Sequence, residues 1–344
     1  MKGRKRTGNM GKKEKIVVLL ISFLLMSASI RARNYQISGA LDSRFMLNDG
    51  QGKINSDNFL IHGVEVNFKY IFQGESGDWA TLVLQASYSP DFDFFSREFN
   101  YHYGDKYLVL KGPRGQVNLK LGKFVVPFGN LQYYVSHLLI LQPMFARSLG
   151  IREDIGLGIG GYFKDYEYDM SFTNGRGDGR INFNNEGLFV FRLGRTDGDL
   201  KYGISGLVGG APEGEYMIGM MMKEDEKTNY VHKNRLGFDV QYPFREFTIR
   251  GEAVVGRDAD NSVGGFYLGG DYEITPKILA SLKTAYWDPN FKVNDYIIDA
   301  GVGLGYRINK CVTPRIAYEK SWSKDAEGMN KSTGLFTAQL NLNF

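Results

Sequence analysis

Several things are scarce in this sequence of 344 residues. There is one cysteine, Cys311, so no disulfide can form within the chain. The four histidines, His62, His102, His137 and His232, share no spacing that would gather metal ligands, so no metal site and no cofactor is expected. After Asn34 no run of about 18 apolar residues would cross a bilayer as a helix, and no amphipathic helix of ordinary length is written in the pattern. An excess of one charge is missing too. The chain holds 42 basic and 38 acidic residues, but residues 1–32 carry eight basic and one acidic, which leaves 34 against 37 for the rest. The basic balance belongs to the N-terminal segment, and nothing in the remainder points to nucleic acid as a partner.

Catalytic groupings are as sparse. Ser136 beside His137 is the sole local serine–histidine pair, and neighbours on extended chain point to opposite sides. "GLGIGG" at 156–161 imitates a nucleotide loop but precedes no helical pattern, and the Arg-Gly-Asp inside "GRGDGR" at 175–180 sits in a glycine- and asparagine-rich loop. No enzymatic activity is expected.

Glycine and aromatic residues are abundant: 43 glycines, 21 tyrosines and 24 phenylalanines, a composition suited to strands and tight turns. The first 32 residues read as an export signal. Lys2, Arg4, Lys5, Arg6, Lys12, Lys13 and Lys15 precede the apolar "IVVLLISFLLM", which is short for a spanning helix, and "SASIRA" offers cleavage after Ser29 or Ala32. Residues 33–344 then form one domain.

That domain is built of segments of about ten residues that alternate with period two. In "NFLIHGVEVNFKYIFQ", Leu60, Val64, Val66, Phe68, Tyr70 and Phe72 share one face, and Glu65, Asn67 and Lys69 the other. "EFTIRGEAVVGR" sets Phe247, Ile249, Ala253 and Val255 against Thr248, Arg250 and Glu252. About fourteen to sixteen such segments, at roughly twenty residues each with their connections, fit an all-β transmembrane antiparallel barrel of about 16 strands, within a range of about 14–18. The alternate face then lines an aqueous lumen, with Lys69, Lys120, Lys201, Arg235, Arg250, Lys283 and Arg315 among Glu65, Asp239, Glu252 and Glu319. Rings near segment ends, such as Tyr70, Phe72, Tyr242, Tyr286, Tyr318 and Trp322, suit the two membrane interfaces. The chain closes on "LFTAQLNLNF". There Leu340, Leu342 and Phe344 fall on the apolar face, which resembles the assembly signal of bacterial outer-membrane barrels and implies the barrel-assembly machinery and outer-membrane lipids as partners.

One stretch departs from the rule. In "LKLGKFVVPFGN" the alternation stops at Pro127, which cannot donate to a ladder, and some 25 residues follow before it resumes at "DIGLGIGGYF". The apolar content of that connection, Leu138 to Leu141 with Met144 and Phe145, predicts a loop folded inward as a constriction. Lys120, Lys123, Arg147 and Arg152 are placed at the narrowing, where confined cations raise the local anion concentration. "GKFVVPFG" followed by "ARSLGIREDIGLGIGGYF" resembles the phosphate-selective porin O/P family of Gram-negative outer membranes. Gly122, Phe124, Pro127, Phe128 and Gly129 carry its corner motif, and Arg147, Ser148, Leu149, Asp154, Ile155 and Gly156 the stretch after it. The resemblance implies a homotrimer of sixteen-stranded barrels with a basic constriction passing small anions such as phosphate. Val125 and Val126 stand where the family often has a lysine and a proline, which removes one positive charge. The alternative is a non-conducting scaffold barrel, plugged by its own loop and partnered with another envelope complex.

Overall fold

The computed structural model describes residues 31–32, 34–49, 59–75, 77–90, 99–102, 105–130, 141, 149–175, 186–212, 230–293, 295–324 and 327–344. Most of the expected leader, including Ser29, lies outside them. So do Arg147, Ser148, Ser136, His137, Leu138 to Ile140, Met144 and Phe145.

Sixteen antiparallel strands close into a barrel. In chain order they are β1 (Tyr35–Asn48), β2 (Phe59–Gly74), β3 (Gly77–Pro90), β4 (Lys106–Lys111), β5 (Asn118–Val125), β6 (Glu153–Phe163), β7 (Tyr166–Thr173) and β8 (Leu188–Arg195). The second half comprises β9 (Lys201–Pro212), β10 (Tyr230–Phe244), β11 (Phe247–Asp258), β12 (Asn261–Thr275), β13 (Ile278–Asn290), β14 (Asp295–Tyr306), β15 (Val312–Lys324) and β16 (Asn330–Asn343). Each pairs with its sequence neighbours, and β16 pairs with β1. Two short ribbons extend the wall: Arg31–Ala32 on β1 and Phe99–His102 on β3.

Connections at one end are tight, such as 164–165, 245–246 and 276–277. Lys164 and Arg245 take left-handed backbone there, with φ of 56° and 55°, as two-residue hairpin loops demand. At the other end the connections over 126–152, 174–187 and 213–229 are long, but those over 259–260 and 291–294 are short.

Alternation sorts the side chains as expected. Leu157, Leu236 and Leu282 point outward and are 60%, 58% and 63% exposed, whereas Lys233 and Asp239 on the inner row of β10 are each 1% exposed. An apolar outer face on a closed sheet is a surface for hydrocarbon. Some outward rings meet near the strand ends, while others, such as Phe238 and Phe266, stand at mid-strand. Phe247 stacks on Tyr272 at 4.3 Å and Tyr70 meets Phe72 at 4.8 Å near the tight turns, while Tyr286 and Tyr296 lie 6.3 Å apart near the opposite rim.

The seam between first and last strands is clamped at both ends. Phe344 exchanges two backbone hydrogen bonds with Gly39, each 3.0 Å, and its ring covers the space where a Gly39 side chain would stand. At the other rim the Asp49 amide donates to the Gly334 carbonyl at 2.9 Å. Its carboxylate accepts from Lys320 Nζ at 2.7 Å and from the Tyr318 hydroxyl at 3.2 Å. The Lys320 ammonium holds the Asp49 carboxyl below the usual carboxylate range.

One expectation is corrected. The inner face is not uniformly polar and wet. Leu188, Val190, Leu207, Val254, Val263, Ala285 and Trp287 point inward from β8, β9, β11, β12 and β13, and they pack with Val126, Phe128, Leu149 and Ile151 of the long connection. The barrel therefore contains a dry cluster. Inward rows near the long-loop rim are apolar because they receive the loop rather than water.

The Phe344 clamp gives a stability prediction. Gly39→Leu drives a side chain into the Phe344 ring and the Glu65 carbonyl oxygen. It should cost about 1–3 kcal/mol as overpacking does, read as a lower urea midpoint of the detergent-refolded barrel. Deleting Phe344 should lower the refolded yield further. A midpoint unchanged in both variants would remove the clamp from the seam.

Candidate functional site

The corner after β5 forms because its residues cannot stay in the wall. The Val126 amide still donates to the Arg152 carbonyl at 2.9 Å, so pairing runs one step beyond the strand. Pro127 then removes the next donor, and the Phe128 amide turns back to the Val126 carbonyl at 2.9 Å. Gly129 follows with φ of 54°, left-handed backbone that glycine adopts without strain, and a Cβ there would run into the Glu252 carboxylate.

These turns carry the chain across the lumen to the far wall. The Gly129 amide donates to Ser205 Oγ on β9 at 2.9 Å, and the Asn130 amide donates to Glu252 Oε2 on β11 at 3.2 Å. The Phe128 ring covers Gly237 on β10, where a Cβ would lie 2.7 Å from its tip. On the return path Lys233 Nζ donates to the Leu149 carbonyl at 3.3 Å. Entry and exit of the expected constriction loop are both fixed on the inside of the barrel, and the described Leu141 is buried against Ala317. Asp154, buried at the start of β6, accepts from the Ile155 and Gly175 amides at 2.9 and 2.5 Å and so anchors the next connection.

Between the corner and the β2–β8 wall lies a cavity of about 320 Å³. One side is apolar, with Phe124, Val126, Pro127 and Phe128; the other carries Glu65, Asp105, Lys120, Arg152, Glu167, Asp169 and Arg192. Lys120 is held in place. Its Nζ is 3.1 Å from Asp169 Oδ2 and 5.1 Å from the centre of the Phe124 ring. Arg192 is spent on the wall: lying flat over Gly203 of β9, it makes a two-pronged pair with Asp239 of β10 at 3.0 and 2.7 Å.

Of the four cations placed at the narrowing by sequence, Lys120 and Arg152 line this cavity. Lys123 pairs with Ile155 in the register, in the row of Leu119 and Leu121, and its Nζ is 3.3 Å from Glu153. Arg147 lies outside the described residues. Asp105, Glu167, Asp169 and Arg192 were not picked out by sequence. The alternation in "YEYDMSFT" and "LFVFRLGR" places the last three inward, but Asp105 follows a break in the pattern and carries no such signal.

No protein-family model and no curated relative matches the chain. Solved structures do. An anion-selective porin from Comamonas acidovorans superposes with a TM-score of 0.64 at 11% identity, over 90% of this chain and 99% of that one. The outer membrane channel DcaP of Acinetobacter baumannii gives 0.62 at 10% identity, covering 92% and 100%. OprB of Pseudomonas putida gives 0.59 at 11%, covering 98% of each. At such identities the likeness is one of fold, and the fold is that of the outer-membrane porins.

Proposed function

We propose that this protein is a channel of a Gram-negative outer membrane through which small polar solutes diffuse passively beside the inward corner. The observation that supports it most is the cavity of about 320 Å³ inside the closed barrel, polar on one side and bounded by the corner on the other. An export leader over residues 1–32, recognition of Leu340, Leu342 and Phe344 during assembly, and a homotrimer belong to the same reading.

An anion preference, and phosphate selectivity in particular, has weaker support. Lys120 faces the cavity but is matched by Asp169, and Lys123 by Glu153. Glu65, Asp105, Glu167 and Asp169 stand against Lys120, Arg152 and Arg192 in the lining. A lining of mixed sign favours weak selectivity over a strong anion field. The dry cluster under the loop favours the second reading, a non-conducting scaffold, because it closes part of the lumen to water.

Planar-bilayer recordings separate the two. The refolded barrel should insert in discrete conductance steps in potassium chloride, and a silent barrel at every salt concentration would leave the scaffold. In a tenfold salt gradient the wild-type reversal potential should lie near zero. Lys120→Glu should move it toward the potassium limit of about 59 mV, since a second carboxylate beside Asp169 enriches cations. Lys164→Glu, in a tight turn at the opposite rim, should leave it almost unmoved. Equal shifts in both variants would exclude the cavity as the conducting path.

A further inference from the structure

Among the cavity's charged groups, Asp105, Arg152 and Glu167 form no ion pair with a described residue, and two of them, Asp105 and Arg152, keep a buried side-chain atom without a hydrogen-bond partner there. Lys120 is tied to Asp169 and Arg192 to Asp239. Asp105 and Arg152 line the same space but form no ion pair with each other or with another described residue. Asp105 keeps a buried Oδ1, and Arg152 a buried Nε, with no hydrogen-bond partner among the described residues. The backbone of Asp105 is fixed, since its amide donates to Gln85 Oε1 at 3.1 Å and its carbonyl accepts from the Gln85 amide at 2.7 Å. Arg152 is fixed by the bond from the Val126 amide to its carbonyl. Burial pushes the Asp105 carboxyl up to about 7, so above that pH a carboxylate and a guanidinium share one compartment on anchored backbone. Leaving either without a partner is costly in a confined site, and the cost falls when a solute supplies the missing groups.

We propose that this cavity is a subsite for small zwitterions, in which a solute ammonium meets Asp105, its carboxylate meets the Arg152 guanidinium, and an apolar side chain rests on Phe124, Val126 and Phe128. The geometry suits an α-amino acid or a short peptide with an aliphatic side chain. Arginine binds a carboxylate through two donors, and the apolar side of the cavity needs a non-polar group to cover it. A plain anion such as phosphate satisfies Arg152 alone and meets Asp105 as a like charge.

The inference rests on the channel reading, and one experiment distinguishes their failures. Block of single-channel current is measured for L-leucine, N-acetyl-L-leucine and L-leucinamide, which keep both charges, the carboxylate alone and the ammonium alone. Half-block by leucine should need about tenfold less solute than by either derivative, the factor expected for one retained charge-assisted contact. Asp105→Asn should erase the advantage over N-acetyl-leucine but keep that over leucinamide, and Arg152→Gln should do the reverse. A conducting barrel that the three solutes block equally, or not at all, overturns the zwitterion subsite and leaves the channel. A barrel that carries no current overturns the channel and the subsite with it. If both variants lose both advantages together, the two residues merely shape the corner and the proposed division of roles is wrong.

Discussion

Everything in this structure follows from a shortage of hydrogen-bond partners in hydrocarbon. A backbone amide or carbonyl facing lipid without a partner costs several kcal/mol, so a sheet enters a membrane only when it has no free edge. Here the first and last strands must find each other across nearly the whole chain, and the seam they form is reinforced where fraying would start. Phe344 supplies both backbone bonds and a ring to Gly39 at one rim. Asp49 gathers Gly334, Tyr318 and Lys320 at the other. Once the ring is closed, alternation does the rest: odd and even rows are separated into lipid and lumen by the pleat itself.

Closure creates a second difficulty. A tube of sixteen strands is too wide for its own side chains to fill, and an empty interior would pass whatever fits. The chain solves this with a corner whose three working residues each do a different thing. Pro127 ends the pairing, Gly129 turns left-handed backbone toward Glu252, and Phe128 sits on Gly237. The far wall is shaped to receive them, with Leu207, Val254, Val263 and Trp287 placed where lumen-facing polar residues would otherwise stand. Gly203 is part of the same preparation, because its missing side chain lets Arg192 lie flat against the wall and reach Asp239.

Much of this was legible in the sequence, and the boundary of legibility is physical. The period-two rule predicted the side taken by Phe247, Ile249 and Val255, or by Lys283 and Glu319, because the pleat fixes it without reference to anything else. The corner was legible because proline and glycine break a pattern that is otherwise regular. The dry cluster was not. An inward valine at 254 or tryptophan at 287 reads as a lapse in alternation until the segment that packs on it is known, and that segment is distant in sequence. Lys123 shows the same limit on a smaller scale. Nearness to the corner in sequence suggested the narrowing, and parity gave no sign that its ammonium would stand beside Glu153.

Selectivity lies beyond parity altogether, because a solute responds to charges that remain unspent. Lys120 and Asp169 together present a short dipole whose field fades within a few ångströms, and Arg192 with Asp239 does the same inside the wall. Counting cations on a lumen face therefore overstates the anion field. What survives the pairing includes Asp105 and Arg152, opposite charges facing one compartment, with Glu167 in the same lining. Two opposite charges kept apart attract neither anions nor cations as a class. They attract molecules that carry both signs at once, which is a selectivity that no tally of net charge could reveal.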